Sequence, residues 1–121
     1  MNYLGTIIEE SLGSKAVLQN VKILSTRVEE VTEKHQTPWL QQWTLHKVEI
    51  AEDKAERVAE QISHDLETAH SAWYADYKNE TWHYIVFPNK VFKIDRDSRE
   101  QHDRAKQYGL SLGIPAHQVD F

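Results

Sequence analysis

The stretch Trp73–Asp95, WYADYKNETWHYIVFPNKVFKID, decides the reading of the fold. Three runs rich in aromatic and β-branched residues, Trp73–Tyr77, Thr81–Phe87 and Val91–Asp95, are separated by Lys78-Asn79 and Pro88-Asn89. Such pairs suit tight turns, because Asn tolerates left-handed backbone and Pro presets its φ. The spacing predicts three short strands in an antiparallel meander. In the central run Trp82, Tyr84 and Val86 share one face, and His83, Ile85 and Phe87 share the other. Both faces are rich in apolar atoms, whereas a sheet with one face in water alternates apolar with polar residues. Something must therefore cover each face. A helix or the C-terminal tail is the first cover to expect, a second copy of the chain the next, and a ligand in an aromatic-lined cavity the third.

The flanking sequence extends this pattern. Ala55, Val58, Ala59, Ile62 and Leu66 form one apolar stripe and predict a helix over Glu52–Thr68, with Glu52 and Asp53 favourably placed in its first turn. Asp97 or Ser98 caps a last helix that runs to Tyr108 and stops at Gly109. The tail beyond it is extended or turned, and Ile114, Val119 and Phe121 predict that it docks. Upstream, Val21–Val31 and Gln42–Ile50 read as strands, the first with a bulge near Ile23 where its alternation changes phase. At the N-terminus Leu4, Ile7, Ile8 and Leu12 follow helical spacing, with Asn2 as cap and Gly13 as stop.

The resulting order is helix, two strands, helix, three strands, helix. It predicts an α+β domain built as a two-layer sandwich, a mostly antiparallel five-stranded sheet with helices packed on it, related to a ferredoxin-like arrangement. The long helix lies between the second and third strands and predicts that these two pair in parallel through a right-handed crossover.

The chain has 121 residues, the size of one domain over 1–121, with 40% hydrophobic and 27% charged residues. No Cys is present, which excludes disulfides, thiolate metal sites and a Cys nucleophile. No basic stretch precedes the early apolar run, which Glu9 and Glu10 interrupt, so neither a signal peptide nor a membrane span is expected and the setting is cytoplasmic. The formal net charge of −5 argues against nucleic acid and anionic membrane surfaces as partners. The basic residues Lys90, Lys93, Arg96, Arg99, Arg104 and Lys106 are interleaved with Asp95, Asp97, Glu100 and Asp103, a pattern of mutual ion pairing rather than of phosphate binding.

Three stretches carry a resemblance: Tyr3-Leu4-Gly5-Thr6-Ile7-Ile8-Glu9-Glu10, Pro38-Trp39-Leu40 with Gln42-Trp43-Thr44-Leu45, and Leu112-Gly113-Ile114-Pro115 with Gln118-Val119-Asp120-Phe121. They resemble a group of small bacterial proteins of this length. The resemblance spans the chain and implies a stand-alone, single-domain protein. It implies nothing about chemistry.

No phosphate-binding glycine loop, Ser nucleophile elbow or zinc-ligand spacing occurs, and no cofactor or metal is expected. Among the seven histidines, His46 and His83 both fall on strands, where they could approach one another or Asp76 or Glu49. Two functions of different class follow. One is a non-catalytic module that binds a small molecule or a protein, with a homodimer among its arrangements and Trp43, Trp73, Trp82 and Tyr84 as the ligand-binding candidates. The other is a small enzyme with an aromatic-lined cleft that uses His46, His83 or Tyr84 as acid–base groups.

Overall fold

The N-terminal segment is a strand, and its place in the sheet sets the topology. The structure, a computed structural model, describes residues 1–70, 72–119 and 121; Ser71 and Asp120 lie outside the described residues. Strand β1 spans Tyr3–Ile8, where the sequence predicts a helix. Its aromatic and β-branched content favours extended backbone, and strand alternation buries Tyr3 and Ile7 while leaving Leu4 47% exposed. The helical stripe fails because Leu4 and Ile7 belong to opposite faces.

Strand β2 (Lys22–Glu30) and strand β3 (Gln42–Ile50) follow as expected. The β2–β3 register shifts between Ile23 and Ser25, so Leu24 is the extra residue of a bulge. A short 3₁₀ turn at Glu52–Lys54 leads into helix α1 (Ala55–Asp65). The helix ends before the expected Thr68 because Leu66 adopts an extended conformation (ψ 132°) and bridges to Leu12. Strands β4 (Ala75–Lys78), β5 (Trp82–Phe87) and β6 (Lys90–Asp95) form the meander, with Asn89 at φ 58° in the second turn. Helix α2 (Arg99–Ser111) is capped by the Ser98 side chain, which accepts from the Gln101 amide. It runs past Gly109, which serves packing rather than termination: a Cβ there would lie 2.9 Å from Val119 Cγ1 and 3.2 Å from the Phe87 ring.

Among the described residues six strands form one sheet, in the order β2-β3-β1-β4-β5-β6. Every pairing in it is antiparallel. The molecule is α+β, with six strands rather than five. The parallel β3–β4 pair expected from the α1 crossover does not form, because β1 lies between them and pairs antiparallel with each. The order of elements, three strands, a helix, three strands and a helix, also departs from the βαββαβ order of a ferredoxin-like fold.

Two apolar clusters flank the meander. Tyr77, Tyr84 and Val86 pack with Val58, Ala59 and Ile62 of α1. Ile85, Phe87 and Ile94 pack with Ala105 of α2 and with Ile114 and Val119 of the tail. Since successive β5 residues point to opposite faces, α1 lies on one face and α2 with the tail on the other. The two apolar faces of β5 are thus both covered from within the chain, and the docked tail is as expected. Among the described residues no helix is long and apolar enough to cross a membrane.

Candidate functional site

Cross-strand partners share a face, so the register assigns every strand residue to one side of the sheet. Thr6 is paired with Asp76, and Asp76 with Ile85, which places these three on the tail-bearing face. Ile8, paired with Leu45, lies there too. Trp43, two residues before Leu45, therefore shares that face as well.

Over this half of the sheet the cover is incomplete and encloses a cavity of about 260 Å³. Thr6 and Ile8 of β1, Trp43 of β3 and Asp76 of β4 form its floor. Its walls are Ala72, Trp73 and Tyr74 on one side and Ile114 and Gln118 of the tail on the other. Trp73 and Tyr74 leave the sheet just before β4, which is why they stand as walls rather than continuing the strand.

The polar ends of the aromatic walls are already engaged by the protein. The Trp43 indole donates to Thr37 Oγ1 at 2.9 Å, and the Trp73 indole donates to Glu67 Oε2 at 3.1 Å. The Tyr74 hydroxyl donates to the Gln118 carbonyl. Trp43 and Trp73 pack against each other at a centroid distance of 5.3 Å. Burial raises the Glu67 carboxyl, but hydrogen bonds from His70, Trp73 and Ala69 outweigh it, so Glu67 titrates below its ordinary value. Gln118 Nε2 donates to the carbonyls of Lys34 (3.0 Å) and His35 (3.1 Å), tying the tail to the loop before β3.

Among the described residues that line the cavity Asp76 is the one carboxylate, and none is Lys or Arg. Its side chain is 33% exposed, and its Oδ2 accepts from His83 Nε2 at 2.7 Å. His83 itself is 2% exposed and packs beside His102 (5.7 Å between centroids) and Phe121 (6.1 Å). A carboxylate can only accept, so the imidazole holds its proton on Nε2 and fixes the orientation of Asp76 from behind.

The remaining candidates lie elsewhere. His46 pairs with Ile7 on the α1 face, where it donates from Nε2 to Glu9 Oε1 at 3.0 Å and meets the Thr26 hydroxyl through Nδ1 at 2.8 Å. The His46 hydrogen bond holds the Glu9 carboxyl below its ordinary value. Tyr84 is also on the α1 face, packed against Tyr3 and Tyr77, and its phenol is raised mainly by burial. Trp82 is on the same side, with Lys93 Nζ 4.7 Å from its ring centroid and 5.7 Å from that of Tyr84. His46, His83 and Tyr84 are therefore not brought together, and of the four ligand candidates Trp43 and Trp73 line the cavity while Trp82 and Tyr84 do not.

Of the approaches open to His46 and His83, the one between His83 and Asp76 forms. The carboxylate that His46 meets is Glu9, rather than Glu49 or Asp76. Thr6 and Ile8 were not legible as site residues because their segment reads as a helix; the β-branched run Thr6-Ile7-Ile8 is the signal for a strand. In the basic stretch, Arg104 pairs with Glu100 and Arg96 donates to the Asn79 carbonyl at 2.6 Å.

Comparison of the chain with protein-family models, with curated proteins and with solved structures finds no match.

Proposed function

We propose that this chain is a non-catalytic small-molecule-binding domain, and that its ligand occupies the cavity over β1, β3 and β4. The observation that carries this reading is an oriented carboxylate, Asp76, the one carboxylate among the described lining residues of a mostly apolar and aromatic cavity. Sites for small molecules combine such apolar walls with a few placed polar groups. The volume of about 260 Å³ suits a compact ligand carrying one ring or a short chain. A thermal-shift panel spanning cationic, neutral and anionic small molecules tests it. A ligand at about 100 times its dissociation constant adds about 2.7 kcal/mol, which is several degrees in a domain of this size. Thr6→Phe, which fills the cavity from the floor, abolishes the shift. A panel without a hit, or a hit that survives Thr6→Phe, overturns the reading.

A second reading concerns self-association, and the edge strand β2 favours it. Eight of its nine residues are exposed, with Leu24 at 43% and Val28 at 56%. Pairing the regular part of β2 antiparallel with its own copy about Val28 keeps each pair on one face of the sheet and sets Arg27 opposite Glu29 and Val28 opposite Val28. Opposite charges and apolar pairs across strands stabilise a sheet, so the edge is complementary to itself. Sedimentation equilibrium is expected to show a dimer that Arg27→Glu weakens about tenfold and that the double exchange with Glu29→Arg restores. A monomer at every concentration ends this reading and leaves the cavity untouched.

A further inference from the structure

The cavity determines the charge of what it takes. We infer that its ligand is an organic ammonium ion, a protonated amine on a compact apolar or aromatic body. This rests on the cavity being a ligand site and goes beyond it by naming the chemical class.

The argument begins with what the walls can offer. An anion or a carbonyl ligand needs several donors, and among the described lining side chains the Thr6 hydroxyl is the one not already engaged. The Trp43, Trp73 and Tyr74 donors point into the protein, to Thr37, Glu67 and the Gln118 carbonyl. The Gln118 amide is engaged by Lys34 and His35. The rings therefore present π-faces and edges, and the π-face carries the negative side of the ring quadrupole. Facing them is the Asp76 carboxylate, with no Lys or Arg among the described lining residues to neutralise it. His83 donates one hydrogen bond to it without leaving the protein interior. A carboxylate beside aromatic faces is complementary to a cation: ammonium donates to the carboxylate and is attracted by the rings. A partly buried carboxylate among apolar walls gains from a partner of opposite charge, since partial desolvation strengthens the pair relative to bulk water.

The test compares three probes of similar shape on the full chain: benzylamine as its hydrochloride, benzyl alcohol and sodium benzoate, titrated at neutral pH and followed by tryptophan fluorescence and calorimetry. The expected order is benzylammonium first, benzyl alcohol about tenfold or more weaker, and benzoate without saturable binding. Asp76→Asn, which keeps an acceptor for His83, is expected to bring the amine down to the alcohol while circular dichroism and the thermal midpoint show a folded chain. If the alcohol or benzoate binds as well as the amine, and Thr6→Phe removes that binding, the cavity is a ligand site and the ammonium inference is overturned. If the amine advantage persists in Asp76→Asn, the inference is overturned as well. If no probe binds, the inference falls, and the wider thermal-shift panel decides whether the ligand-site reading falls with it.

Discussion

Gly5 is where one missing side chain holds the sheet together. A Cβ at this position would lie 2.2 Å from the Asp76 carbonyl oxygen and 2.5 Å from Tyr77 Cβ, so β1 and β4 approach more closely than any other residue permits. Backbone cannot yield there as the end of a flexible side chain would. Gly5→Ala is expected to cost about 2 kcal/mol or more, read as a lower urea midpoint at unchanged slope. An unchanged midpoint would mean that β1 and β4 do not pair at this point. The same residue shows the limit of residue-by-residue reading. Within the sequence Gly5 is one isolated glycine, and only the neighbour across the strand gives it a role. Asp76 and His83 fared better, because two polar residues on adjacent strands of a meander have few places to go, and one of the contacts open to His83 forms at 2.7 Å.

Among the elements, those whose pattern is local were legible and the one whose pattern is ambiguous was not. Strand β3 matches its expected limits, Gln42–Ile50, because alternation is maintained throughout. Ser98 caps α2 as its hydroxyl predicts. The segment Leu4–Leu12 fits helical spacing over four apolar residues, yet its Tyr3, Thr6, Ile7 and Ile8 favour a strand, and tertiary pairing on both sides decides for the strand. The end of α1 is a similar case. Its stripe continues to Leu66, but the bridge to Leu12 takes that residue out of the helix. The loss of a first helix and the gain of β1 also explain why half of the site was illegible, since Thr6 and Ile8 belong to the misread segment.

Across the whole molecule, three tyrosines from three strands converge under α1. Tyr3 lies 5.6 Å from Tyr77 and 5.3 Å from Tyr84, and Tyr77 lies 5.1 Å from Tyr84. Burial is the largest cause raising all three phenols above their ordinary value of 10.0. The folded chain thus keeps these protons after the unfolded chain has begun to release them. Stability is fully present below pH 10 and falls as pH rises above it. Tyr77 contributes most, being raised furthest, and its hydroxyl also donates to the Ala55 carbonyl at 2.6 Å. Tyr77→Phe is expected to lose about 1 kcal/mol at neutral pH. Its urea midpoint should then decline less steeply than that of the parent above pH 10, so the two curves approach each other. Parallel curves from pH 8 to 11 would show that Tyr77 ionises equally in both states. The sequence by itself determined the α+β class, the meander, two further strands, the capped last helix and the docking of the tail, because each is written in a local period or a local polar group. Only the tertiary structure decided that β1 is a central strand, that α1 and α2 lie on opposite faces, and that Trp43, Trp73 and Asp76 share a cavity while Trp82 and Tyr84 do not. Those outcomes depend on which strands become neighbours, and the energy of pairing distant segments has no signature in either segment alone.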